Sequence, residues 1–196
     1  GRVDAAAASA PIDAAETRSA AIAVAEQSAL VLRDHAGLLP VARDARILLV
    51  EQVFPTHLHA NNAYSHPGLL WEAMAAQFDR VACVEVPYQP GAGDLERVRR
   101  RLASEPCDLI VTTGWYYHKD GPGGSNVREL LQASDKPLVL VSNSPYRFAV
   151  DDACDTVVTI FHPGAPEQMT AAARILAGDL PVRGRVPVRL DAAAPS

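Results

Sequence analysis

From Ala45 onward, hydrophobic positions come in short, mostly continuous runs rather than in regular alternation with polar ones. The runs are Ile47–Val50, Val81–Val86, Leu109–Thr113, Leu138–Val141 and Thr156–Ile160. Short stretches of apolar or β-branched residues with no polar face predict strands buried on both sides. Between them the spacing turns helical. Leu69, Leu70, Ala73 and Met74 share one face, as do Leu95, Val98 and Leu102 of a surface helix expected over Asp94 to Glu105. Asn126 and Glu129 read as a capping box ahead of Leu130 and Leu131, and a last helix from Glu167 to Ala177 is closed by Gly178. Strand and helix alternate through five repeats. This predicts an α/β three-layer sandwich: a mostly parallel sheet of about five to six strands with helices on both faces.

The flanks are less regular. Residues 1–12 are rich in alanine and read as a linker or leader. Asp13 and Glu16 form a second capping-box pattern, opening a helix to about Gln27. Ala29–Arg33 looks extended, and Gly37-Leu38-Leu39-Pro40 ends that unit. Past Pro181, the stretch Val182–Leu190 is expected to add at most an edge strand, since its prolines cannot donate to a ladder. One domain over residues 13–190 results, with residues 191–196 as a tail.

Composition narrows the classes of partner. A net charge of -5 gives no electrostatic reason to expect nucleic acid. The one dense basic run, Arg97 with Arg99, Arg100 and Arg101, falls on the predicted surface helix and reads as a solvated face. No apolar stretch reaches the ~18 residues of a membrane span. The three cysteines, Cys83, Cys107 and Cys154, are far apart and show no zinc-ligand spacing, so they are expected to be inert thiols.

The candidate chemistry gathers at one place. In an open parallel sheet, ligands bind beyond the carboxyl ends of the strands. The first strand leads there into Glu51-Gln52 and then His57 and His59; the third leads into Trp115-Tyr116-Tyr117-His118-Lys119-Asp120; the fourth leads into Asn143-Ser144-Pro145-Tyr146-Arg147. Asn126 follows the third-strand loop, and His162 follows the fifth strand. Aromatic faces stack on sugar rings while polar groups meet their hydroxyls, so this edge suits a carbohydrate. The same composition suits a face packed against another domain. His57 and His59, with His66, His118 or His162, have the residue types of a metal site, but loop histidines of this kind also bond to backbone or water, and no metal is expected. The glycines around Asp120 to Ser125 match neither nucleotide-binding fingerprint, so no cofactor is expected. Glu51, Asp120 and Glu167 are the acids best placed for hydrolysis, with capping or ion pairing as their ordinary roles. Ser134-Asp135, next to Lys136-Pro137, reads as a turn.

Three stretches together resemble a known family. Ala25-Glu26-Gln27-Ser28-Ala29-Leu30-Val31-Leu32-Arg33-Asp34, followed by Gly37-Leu38-Leu39-Pro40-Val41, is similar to the entry of the C-terminal domain of family 3 glycoside hydrolases. Ser144-Pro145-Tyr146 resembles a segment of its β-N-acetylhexosaminidase-like members. The ending Leu176-Ala177-Gly178-Asp179-Leu180, then Gly184-Arg185-Val186-Pro187-Val188, resembles the family terminus. The resemblance implies a barrel domain ahead of this one, carrying the aspartate nucleophile, which has no matching position here. In β-glucosidase members the loop after the third strand lends an acid/base glutamate. The corresponding loop here, Trp115 to Asn126, holds only Asp120, which favours the hexosaminidase-like branch.

The expected function is therefore an accessory domain without catalytic residues, packing beside a barrel and shaping its sugar-binding edge. Its expected partners are that barrel and a carbohydrate, not nucleic acid or membrane. The residues expected at the edge are Trp115, Tyr116, His118, Lys119, Asp120, Asn126, Asn143, Tyr146, Arg147, His57 and His59. A free-standing carbohydrate-binding or interaction module is the alternative, and a small hydrolase using Glu51 with Asp120 a third.

Overall fold

The computed structural model describes residues 14–53, 68–117, 121–122, 125–145 and 154–185. In chain order the elements are α1 (Ala14–Ser28), β1 (Leu30–Asp34), β2 (Arg46–Val53), α2 (Leu69–Ala75), β3 (Arg80–Pro87), α3 (Ala92–Ser104), β4 (Leu109–Gly114), β5 (Tyr116–Tyr117), β6 (Gly121–Pro122), α4 (Ser125–Gln132), β7 (Leu138–Ser142), β8 (Thr156–Thr159) and α5 (Pro166–Leu176). Six strands form one sheet in the order β1-β8-β7-β4-β2-β3, and β5 with β6 makes a separate small hairpin. All pairs in the large sheet are parallel except β1 with β8. The expected α/β sandwich is observed, and all five predicted apolar runs are strands.

The unbroken apolar runs have a direct cause: the sheet separates two cores. Ile47, Leu49, Val111, Val139, Val141 and Val158 face α1, α2 and α5. Their neighbours Leu48, Val50, Ile110, Leu140 and Val157 face α3 and α4. With both faces covered, neither set of alternate positions can be polar.

Several boundaries differ from expectation. Helix α3 begins two residues before Asp94, because the Asp94 carboxylate accepts the Gly91 N–H at 2.9 Å and acts from inside the first turn. Asn126 likewise lies inside α4 rather than at its cap, and its amide reaches the Pro90 carbonyl at 2.9 Å. No strand forms over Pro181–Arg185, the described part of the tail. The sheet margin beside β8 is taken instead by β1, which runs antiparallel to it, and the other margin by β3. Asp13 lies outside the described residues, so its capping pattern does too.

The family-like stretches meet in space. Asp34 accepts the amides of Leu38 and Leu39 and the Thr156 hydroxyl, tying the Gly37–Pro40 turn to β8. Burial acts against its charge, but these bonds and the Gly37 amide leave its pKa lowered. Helix α5 ends with Gly178 at φ 79°, its amide bonded to the Ile175 carbonyl and the Asp179 amide to that of Arg174. That paired closure needs a left-handed residue. A Cβ on Gly178 would also lie 2.8 Å from Pro40, and one on Gly184 would lie 2.6 Å from the Ala29 carbonyl oxygen. Entry and ending are thus fitted to each other, which explains why they carry small or turn-forming residues.

Candidate functional site

Numbered along the parallel strands alone, the order is 2-1-3-4-5, with β2 as the first. The chain reverses direction between β2 and β4, and the crevice outside that switch point is the usual ligand position in such sheets. Here the protein fills it with its own residues. Strand β2 runs on through Glu51 and Gln52, both expected in a loop and both buried within the strand. Trp115 follows β4 and is only 2% exposed. Its indole N–H donates to the Gln52 carbonyl at 2.7 Å, and its backbone N–H donates to Gln52 Oε1 at 2.8 Å. Gln52 Nε2 in turn donates to the Tyr88 carbonyl at 2.7 Å, and its backbone N–H donates to Thr113 Oγ1 at 2.6 Å. Trp115 therefore anchors the edge from inside and offers no ring face to a sugar in this arrangement.

The other side of β4 is fixed in a matching way. The Tyr116 N–H donates to Asn143 Oδ1 at 2.7 Å, and Asn143 Nδ2 donates to the Tyr116 carbonyl at 3.1 Å. The Ser142 hydroxyl donates to the Gly114 carbonyl and accepts the Ser144 amide. From this base the chain enters the hairpin, with Tyr116 opposite Pro122 and Tyr117 opposite Gly121. Tyr116, Asn126 and Asn143 are all half-buried at this edge. His57, His59, His118, Lys119, Asp120, Tyr146 and Arg147 lie outside the described residues, as does His66. Among the described residues no group of three or more His, Cys, Asp or Glu is placed to hold a metal ion.

Glu51 is not a free acid. Its two carboxylate oxygens accept the amides of Leu70 at 2.9 Å and Trp71 at 3.1 Å, so it caps α2 from the sheet. The helix needs this because Gly68 at its N-cap has no side chain to offer. Burial pushes the Glu51 carboxyl up to about 7; the two amides pull the other way, and Glu85 and Glu72 add to the rise. Glu167 stands in the first turn of α5, where a negative charge suits the helix dipole.

Sequence reasoning missed Gln52 as a structural hub and overlooked Trp71, which like Phe161 after the fifth strand is a large apolar side chain left exposed. A signal existed for Gln52: Glu51-Gln52 continues an apolar strand without a turn residue. The opposite edge has two open cavities, of ≈ 420 Å³ beside Lys136 and Cys154 and ≈ 460 Å³ beside Arg46 and Arg80. Both lie at strand starts, away from the polar loops. Of the thiols there and nearby, Cys83 is pushed up to about 12 and Cys107 is raised, in each case mainly by burial, which keeps both protonated.

Neither a family model nor a curated protein sequence matches the chain. Solved structures do. A glycoside hydrolase family 3 beta-N-acetylglucosaminidase from a Paenibacillus species superposes with a TM-score of 0.73 at 16% identity, covering 99% of this chain and 36% of that one. The fold is that of a domain of family 3 glycosidases. Beta-glucosidase from Listeria innocua with glucose superposes at a TM-score of 0.66 and 21% identity, over 86% of this chain and 26% of that one. A beta-glucoside phosphorylase gives 0.64 and 18%, over 93% and 33%. The chain thus spans between 26% and 36% of the length of these three proteins. No described helix is long and apolar enough to cross a membrane.

Proposed function

We propose that this chain is the C-terminal accessory domain of a family 3 glycoside hydrolase acting on a β-N-acetylhexosaminide, with its carboxyl strand edge set against a barrel that carries the catalytic carboxylates. The observation that carries this reading is coverage: nearly all of this chain matches a minor part of each larger enzyme. The choice of substrate rests on two supports. The superposition on the beta-N-acetylglucosaminidase is longer and closer than those on the beta-glucosidase and the phosphorylase. The stretch from Trp115 to Asn126 also contains no glutamate to act as an acid/base.

In this reading His118, Lys119 and Asp120, with His57, His59, Tyr146 and Arg147, meet barrel or sugar. Tyr116, Asn126, Asn143 and the buried Trp115 hold the edge in shape. The test is to assay the protein at its full gene-encoded length, and this chain alone, on aryl N-acetylglucosaminide and aryl glucoside. Hydrolysis of the first by the long form only is the expected result. Turnover by this chain alone would overturn the accessory role; preference for the glucoside would overturn the substrate. No hydrolysis by either, with saturable sugar binding by this chain, would favour a free-standing binding module.

A further inference from the structure

We infer that the stretch of α1 from Ala20 to Val24 is an interaction surface, seated in the longer protein in an apolar groove of the barrel domain. It rests on the accessory-domain reading above and adds to it a contact outside the strand-end loops.

Only the last turn of α1 belongs to the core of this domain. Ala25 is buried there, Gln168 of α5 donates to the Ser28 hydroxyl at 3.0 Å, and Arg174 of α5 pairs with Glu26. Ahead of Ala25, every residue from 15 to 24 is exposed. Helices without tertiary packing are marginal in water below ~12–15 residues. The alanines of this stretch favour helix, but Ile22 and Val24 are β-branched and lose side-chain freedom in one. Helix propensity therefore gives no reason for these two residues.

Their placement does. Successive helical residues are turned by about 100°, so Ala20-Ala21-Ile22-Ala23-Val24 passes once around the helix without a polar residue. Ile22 and Val24, two positions apart, stand on opposite sides. A helix that is apolar all round is normally a buried one, whereas a solvent-facing helix keeps a polar face. Here Ile22 is 41% exposed and Val24 63%. The cover these side chains call for has to come from outside this domain.

Two observations point to the barrel as that cover. Leu30, just after α1, pairs with Thr159, the last residue of β8, so α1 joins the domain at the carboxyl edge that the proposed function sets against the barrel. The superposition on the Paenibacillus enzyme takes in 99% of this chain within 36% of that one, so α1 has its counterpart inside a larger protein. A second copy of α1 lying alongside would cover Ile22 or Val24 and leave the other bare. A groove covers both.

The test compares amide hydrogen exchange in this chain and in the protein at its full gene-encoded length, each also with Ile22→Lys and with Val24→Lys. Lysine forms helix better than either residue it replaces, so the helix itself is not weakened. In this chain alone, residues 20–24 should exchange fast, and the Lys variants should leave the urea midpoint unchanged. In the longer protein the same amides should exchange about tenfold more slowly or better, and each Lys variant should lose most of that gain. If a Lys variant of the longer protein does not fold, exchange in the unsubstituted protein decides. Equal exchange at 20–24 in both forms, with added protection at 115–117 and 143–145, overturns this surface and leaves the accessory reading standing. No added protection anywhere overturns both. Protection that survives both Lys variants overturns the apolar groove. Slow exchange in this chain alone that depends on its concentration assigns the surface to a second copy and removes the barrel as its occupant. A Lys variant that destabilises this chain by itself also overturns the inference, because the stretch would then be packed within the domain.

Discussion

Glu51 joins a helix end to a buried acid, and this makes its protonation visible in stability. Its carboxyl is raised from the ordinary 4.5 to about 7, chiefly by burial. Below the unfolded value both states hold the proton and the contribution is complete. Between about 4.5 and 7 only the folded chain keeps it, so stability falls with rising pH, by at most about 1.4 kcal/mol per pH unit. The prediction is that urea midpoints decline across this window and level off above it. Glu51→Gln, which resembles the protonated form, should flatten that decline; parallel curves for variant and parent would show that another group is responsible. Gly184 offers a second residue-scale test. Its missing Cβ makes room for the Ala29 and Ser28 carbonyl oxygens, so Gly184→Ala should cost about 2 kcal/mol or more in urea denaturation. A loss below half that would mean the terminal segment shifts freely away from α1.

Among elements, β1 and the turn after it show how a sequence motif becomes a structural joint. Asp34 ends β1 and holds the turn and β8 by three hydrogen bonds, so Asp34→Ala should destabilise by about 2–3 kcal/mol. Thermal unfolding checks this, and an unchanged midpoint would reduce the motif to coincidence. Four of the predicted strands, β2, β4, β7 and β8, were legible because burial on both faces leaves almost no exposed position to confuse the period; β3, at the sheet margin, was legible from its apolar run even though Glu85 within it is exposed. Helix starts were less so. A cap can be supplied by a side chain inside the first turn, as at Asp94, or by one from a distant strand, as at Glu51 for α2. Neither arrangement leaves the local pattern that a sequence reading looks for. The edge was legible in composition and not in detail: an aromatic beside a strand end predicts a ligand face, yet Trp115 turns inward because Gln52, remote in sequence, offers a carbonyl to its indole. The arginines of α3 followed expectation, with Arg97, Arg99 and Arg101 each paired to an acid of that helix or its cap.

For the whole molecule, the accessory reading makes the two ends of the sheet behave differently. The carboxyl edge concentrates stitched loops, half-buried amides and exposed Trp71 and Phe161. The amino edge is a set of strand starts bordered by exposed ion pairs such as Arg46 with Asp108. Exposed pairs of that kind add little to stability and give no cause for docking. If the accessory reading holds, the longer protein buries the carboxyl edge and leaves the amino edge in solvent. Hydrogen exchange compared between this chain and the gene-encoded protein should then show added protection at 115–117 and 143–145. Exchange at 106–108 and 136–138 should not change. The opposite pattern would place the partner on the wrong end of the sheet, and the hairpin could then no longer reach a sugar held by the barrel. Equal exchange throughout would mean that the domain stands apart from its partner, and the clamped edge would have to be explained by a ligand that this domain binds by itself.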